Sequence, residues 1–154
     1  MQKKEVKKHL LKEHKQAKQA LRSFLKKGDQ EKLHRFRTSI KKLRALVSLI
    51  EQTARVPHLR HGLKSIRGTY QASGKVRDSY LHIELGNQEH ADEKFVAEEQ
   101  KKLEKATEEL HTKTPTHFKN IDRLKKNLLK RLPSIKDISL NLFYQESCKQ
   151  LANC

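Results

Sequence analysis

The sequence predicts an all-α protein: an antiparallel bundle of about six helices forming one domain over residues 1–154. Three observations predict it. Apolar residues recur at three- and four-residue steps, the spacing that gathers side chains on one helix face. With 5 Gly and 3 Pro, the chain has little turn chemistry for many short strands. Hydrophobic residues and charged residues each make up 34%, enough for amphipathic helices but thin for a core covered on both faces.

The first helix is expected over residues 2–27, with Val6, Leu10, Ala17, Leu21 and Phe24 on one side. Gly28 ends it, and Asp29 caps a second helix that continues to residue 54. Pro57 opens a third, which runs to residue 85 before Gly86-Asn87 breaks it. A fourth covers 91–111, with Phe95, Leu103, Ala106 and Leu110 inward. Thr114 caps and Pro115 opens a fifth, to residue 132. Pro133-Ser134 starts a sixth, with Ile135, Ile138, Leu142, Cys148 and Leu151 along one side. No low-complexity linker separates these segments, so one bundle with short connections is expected.

Charge points to the partner. The formal net charge is +17, from 35 Lys plus Arg against 18 Asp plus Glu. Residues 1–83 hold 22 basic and 6 acidic residues, 84–111 hold 4 and 9, and 112–154 hold 9 and 3. The positive field therefore belongs to two stretches with an acidic helix between them, and such an excess implies an anionic partner. Cys148 and Cys154 do not make a disulfide framework. No apolar run reaches the roughly 20 residues that span a bilayer, and no signal-peptide core is present. A soluble cytoplasmic protein without a membrane partner is expected.

The second helix is the most informative. Leu33, Phe36, Ile40, Leu43 and Val47 form its apolar stripe; His34, Arg37, Lys41 and Arg44 follow the same steps one residue on. The basic stripe lies roughly 90° from the apolar one, so it flanks the core seam. No acid interrupts it from His34 to Arg44. Stacked like charges destabilise a helix, and an anion bridging them relieves the repulsion. Arg35 and Lys42 project elsewhere. On the third helix, Leu59, Leu63, Ile66, Tyr70 and Leu81 share a face, with Ser73 and Gly74 as a small patch for close approach. Arg60, Lys64, Arg67, Gln71 and Lys75 line the adjacent face, which Asp78 completes. With the two helices antiparallel, the basic stripes would face each other across a groove. Arg77 falls among the apolar positions, where a guanidinium needs an internal partner or a bound anion. Lys119, Arg123, Lys126 and Lys130 make a further stripe on the fifth helix, which either extends the anion surface or is the helix's solvent face, the second being favoured slightly.

The run Leu33-His34-Arg35-Phe36-Arg37-Thr38-Ser39-Ile40-Lys41-Lys42-Leu43-Arg44 resembles the signature helix of the CHAD family, a helical domain defined by a histidine. Gly74-Lys75-Val76-Arg77-Asp78 resembles the family's second signature, and together the two cover residues 30–85. The resemblance implies a single CHAD-like helical domain that binds inorganic polyphosphate through basic side chains lining a groove, without catalysis. It carries over His34, Arg37, Lys41, Lys42 and Arg44 from the first signature, and Arg77 and Asp78 from the second. Lysines stand at 41 and 42 where the family usually has arginines, which keeps charge and loses bidentate phosphate geometry. Family members are usually about twice this long, with a histidine helix in each of two halves, and no second copy follows residue 86. A homodimer that rebuilds the groove and binding through one half alone are both open; association with polyphosphate granules also follows from the resemblance.

Nonspecific binding to a nucleic-acid backbone is the alternative, since any polyanion releases counterions on meeting such a stripe. Aromatic residues are only 5% and Trp is absent, which argues against base recognition. The nine histidines form no convincing metal cluster, and Arg60 and Lys64 beside His58 and His61 oppose a cation. No cofactor is expected, and with Asp78 the sole acid beside the stripes, neither is metal-assisted hydrolysis.

Overall fold

The computed structural model describes residues 3–54 and 58–132; the sixth expected segment lies outside the described residues. Five α-helices and one 3₁₀ segment follow in order. They are α1 (Lys3–Lys27), α2 (Gln30–Ala54), the 3₁₀ segment (Leu59–Ile66), α3 (Arg67–Gln88), α4 (Glu93–Thr112) and α5 (Thr114–Arg131). No strand occurs among the described residues, and the fold is an all-α helical bundle.

α1 and α2 form an antiparallel hairpin. Gly28 adopts φ 69°, a left-handed conformation that costs glycine little, and its N–H closes α1 on the Phe24 carbonyl at 2.7 Å. The Asp29 carboxylate then accepts the Glu31 N–H at 2.9 Å and starts α2. The apolar stripes fall where the spacing put them. Val6, Leu10, Ala17, Leu21 and Phe24 meet Leu33, Phe36, Ile40, Leu43 and Val47 in one core, all of them buried. Full burial of each large side chain contributes on the order of 2 kcal/mol.

The expected third helix is two elements. Residues 59–66 wind as a 3₁₀ segment, and α3 begins only at Arg67. Packing against α5 accounts for the tighter winding. Leu59 and Gly62, one 3₁₀ turn apart, are both buried, and a Cβ on Gly62 would stand 2.8 Å from Leu128 Cδ2. Arg131 Nη1 also donates to the His58 carbonyl at 3.1 Å, where His58 has φ 66°. About three residues per turn, instead of about 3.6, breaks the phase of the Arg60–Lys75 stripe.

Gly86-Asn87 does not break α3. Gly86 is buried inside the helix, and the Phe95 ring and Val96 methyl lie 3.4 Å from where a Cβ would stand, so this glycine lets α4 approach. The turn falls later, with His90 at φ 53° and the Ala91 N–H on the Gly86 carbonyl at 2.8 Å. Asp92 caps α4 by accepting the Lys94 N–H at 3.0 Å. Phe95, expected inward, is 42% exposed: it covers Gly86 and turns its remaining surface to solvent. Thr114 also differs from expectation. Its hydroxyl donates to the His111 carbonyl at 2.7 Å, closing α4 instead of capping α5, while Pro115 occupies the first turn of α5.

α5 is fastened to α1 and α3 by polar ties. His14 Nε2 donates to the Ile121 carbonyl at 3.1 Å, Lys18 pairs with Asp122 at 2.6 Å, and Thr69 Oγ1 meets His117 Nδ1 at 3.0 Å. Burial holds both His14 and His117 below the ordinary histidine pKa.

Candidate anion site on the seam between α2 and α3

α3 crosses α2 antiparallel, with Tyr70 against both Arg37 and Arg44 and Gly74 against Arg37. The Arg37 guanidinium lies over the Tyr70 ring at 4.4 Å, and Arg44 lies over the same ring at 4.3 Å. Arg37 Nη1 donates to the Tyr70 carbonyl at 3.0 Å, with the Ser73 hydroxyl 3.5 Å away. A Cβ on Gly74 would stand 2.7 Å from that nitrogen, so the small patch at Ser73 and Gly74 admits a guanidinium, not another helix. Arg77, one turn further along α3, lies over Tyr80 at 5.3 Å, and its Nε is buried without a hydrogen-bond partner. The Tyr80 hydroxyl donates to Glu84 at 2.7 Å, a bond that raises the phenol pKa.

Two guanidiniums thus share one tyrosine face on the seam, Arg77 follows Tyr70 and Gly74 in helical phase along α3, and among the described residues none of the three has a carboxylate partner. Aromatic faces hold them instead, an attraction of about 0.5–2 kcal/mol that leaves the positive charge uncancelled. Each guanidinium carries five N–H donors in a planar fork, and the bonds above use only a fraction of them. The arrangement orients arginines by stacking and keeps their edges available for oxyanions.

The remaining predicted residues fall into separate groups. Lys41 is exposed on the outer ridge of α2. His34 and Lys42 line a different cleft, between α2 and α1, where Lys42 comes within 3.9 Å of Glu13. Arg60 pairs with Glu51 at 2.6 Å and donates to Ser48 at 2.9 Å, so its charge is neutralised at the end of α2. Lys64 is exposed beside His61 and is the first cause of that histidine's lowered pKa. Arg67 is exposed at the start of α3, on the side of Gly74 by helical phase. Lys75 and Asp78 line the cleft toward α4 with His82, Glu99 and Lys102. The structure therefore brings Arg37 and Arg44 together on Tyr70, holds Arg77 over Tyr80 on α3 itself, and pairs Arg60 and places Lys75 elsewhere. The tyrosines escape a reading of the sequence alone: Tyr70 sits among apolar positions, and its place one turn before Gly74 is the available signal.

Among the described residues no cluster of three metal-ligating side chains occurs, and no helix is long and apolar enough to cross a membrane. Fold and site define a helical bundle with an unpaired arginine–tyrosine seam. A family model described as CHAD domain matches residues 8–137, and the chain belongs to that family. No curated protein and no solved structure matches it.

Proposed function

We propose that this chain binds inorganic polyphosphate, without catalysing its breakdown, along the α2–α3 seam. One observation carries the reading: Arg37 and Arg44 are stacked on Tyr70 with no carboxylate partner among the described residues. Family membership and the two signature runs supply polyphosphate as the anion. Arg77 extends the seam at one end, and exposed Lys41 and Arg67 add charge at its solvent side. A flexible phosphate chain lying there exchanges condensed counterions for fixed guanidiniums, so affinity falls steeply with salt. Lysine at 41 contributes charge without bidentate geometry, while the arginines supply the planar forks. A cytoplasmic setting, attachment to polyphosphate granules and a second copy extending the track belong to the same proposal.

The test is calorimetric titration of long-chain polyphosphate into wild type and Lys41→Gln/Arg44→Gln, with circular dichroism confirming the fold. We expect at least tenfold weaker binding in the double variant, about 1.4 kcal/mol. Unchanged affinity in a folded variant refutes the site. Competition with duplex DNA at physiological salt separates this reading from backbone binding to nucleic acid, because preference for DNA reverses it.

A further inference from the structure

The large apolar side chains that stand exposed among the described residues are both on the α3–α4 hairpin: Leu85 is 55% exposed and Phe95 is 42% exposed. They share one flank of it. His82 of α3 meets Glu99 of α4 at 3.1 Å; Leu85 follows that histidine by a turn, and Phe95 precedes that glutamate by a turn. The same phase adds Glu89, a turn past Leu85, and Glu98, a turn past Phe95, both exposed. Residues 84–93 hold Glu84, Glu89, Asp92 and Glu93 and neither lysine nor arginine. In a chain of net charge +17, this end is an acidic and apolar exception.

No described element covers the flank. α4 packs mainly against α3, and α3 outruns α2: Gly74 stands against Arg37, so the start of α2 at Gln30 falls near residue 81. The last turns of α3 therefore project by about 10 Å, with the first turn of α4 beside them. An apolar patch rimmed by charge is the usual form of a protein contact, whereas a lone exposed leucine carries no such meaning.

Charge decides which partner fits. The complement of an acidic apolar tip is a basic surface with apolar edges, and α5 carries one. Lys119, Arg123, Lys126 and Lys130 are all exposed, and none enters an ion pair among the described residues. Half-buried Phe118 and Leu129 border that stripe. A chain's tip cannot reach its own stripe, because α5 lies at the other end of α3, where His117 meets Thr69, about 24 Å along the helix from Leu85. Two tips brought together would set acid against acid.

We propose that the α3–α4 tip docks on the α5 stripe of a second copy of this chain, head to tail. Leu85 and Phe95 meet Phe118 and Leu129, while Glu89 and Glu98 meet the lysines. Because the two surfaces differ, the contact repeats into a ring or an open row. The patch is small, so the contact is weak and sensitive to salt. It uses no residue of the arginine seam, and either can fail while the other stands.

The experiment is sedimentation velocity on the full chain without polyphosphate, at low and at high salt. Wild type should associate as concentration rises at low salt and return to monomer at high salt. Glu89→Lys/Glu98→Lys and Lys119→Glu/Lys126→Glu should each weaken association at least tenfold, since each sets like charges face to face. An equimolar mixture of the two should restore it, because a tip of either variant then finds unlike charge on the other's stripe. Leu85→Ser/Phe95→Ser should also weaken association about tenfold at unchanged charge, and the mixture keeps the test valid should this variant disturb the cover over Gly86. The proposal is overturned if wild type stays monomeric up to about 1 mM, if the stripe variant associates like wild type, or if the mixture stays dissociated. Tighter association of wild type at high salt overturns it as well, because the contact is then apolar alone.

Discussion

Charge is handled in opposite ways on the two flanks of α3. Toward α4, the buried Glu99 carboxylate is held by Lys102 at 2.6 Å and His82 at 3.1 Å. The Lys102 bond, and after it the His82 bond, keeps Glu99 below the ordinary carboxylate pKa, and Lys102 is raised in return. Toward α2, Arg37 and Arg44 lie over Tyr70, and among the described residues neither has a carboxylate partner. One helix therefore carries a neutralised seam and a charged seam. Pairing on the α4 side shows that the chain has acids available for helix contacts, so their absence toward α2 is specific to that seam. Uncancelled charge between packed helices costs stability in the free protein and is relieved only when an anion arrives.

The largest expected effect follows directly. Replacing Arg37, Arg44 and Arg77 with glutamine should weaken polyphosphate binding about a hundredfold, about 3 kcal/mol. The slope of log affinity against log salt should flatten by roughly one unit for each phosphate deprived of its guanidinium, read from titrations at several salt concentrations. A slope equal to wild type would place the phosphate-binding groups elsewhere and erase the contrast between the seams.

A second substitution separates geometry from charge. Gly74→Val keeps every cation but puts a side chain 2.7 Å from Arg37 Nη1, where the guanidinium must leave Tyr70. We expect roughly tenfold weaker polyphosphate binding at unchanged net charge. Binding equal to wild type would mean that charge alone suffices and that stacking on Tyr70 plays no part.

Much of this arrangement is legible in the sequence because helical spacing is a local property. The stripe Leu33–Val47 and its basic neighbour depend only on a periodicity of about 3.6 residues, and α2 keeps that period throughout. The same reasoning fails over residues 59–66, where contact between Gly62 and Leu128 accompanies a different helical period. Nothing local announces a partner so far along the chain. Glycine is ambiguous for a related reason. Gly28 is readable as a helix end because it follows an apolar stripe, whereas Gly86 looks identical in composition and serves helix contact instead. For the site, spacing groups His34 with Arg37, but α1 and α3 claim different flanks of α2 and divide them. Arg77 stands out from the sequence alone, since a cation in an apolar phase is visible before any partner is known.

The pH response sharpens the contrast between fastening and function. His14 and His117 are buried, and desolvation holds both below the ordinary histidine value of 6.5. Their folded pKa lies below the unfolded one, so the unfolded chain binds protons first as pH falls. Their contribution is complete above about 6.5 and is lost progressively below it. Chemical denaturation at about pH 7.5 and pH 5 should show lower stability at the acid end, with the ties from α5 to α1 and α3 weakening. His14→Gln/His117→Gln should flatten that dependence; a profile unchanged in the variant would assign acid loss to other groups.

The smallest expected effect is on ligand binding by the neutralised seam. Glu99→Gln removes the carboxylate that Lys102 and His82 share, and so raises the net charge of the chain. If polyphosphate affinity followed total charge, this variant would bind more tightly. If affinity follows oriented guanidiniums on the α2 flank, it should stay within about twofold of wild type, because a charge on the far flank acts through solvent. Thermal melting should meanwhile fall, since the carboxylate's lowered pKa records a favourable interaction in the folded state that the amide cannot make. Lower melting with unchanged binding identifies the α4 side as structural and the α2 side as the binding surface; tighter binding would show that the molecule works as a diffuse polycation, in which Tyr70 and Gly74 have no special part.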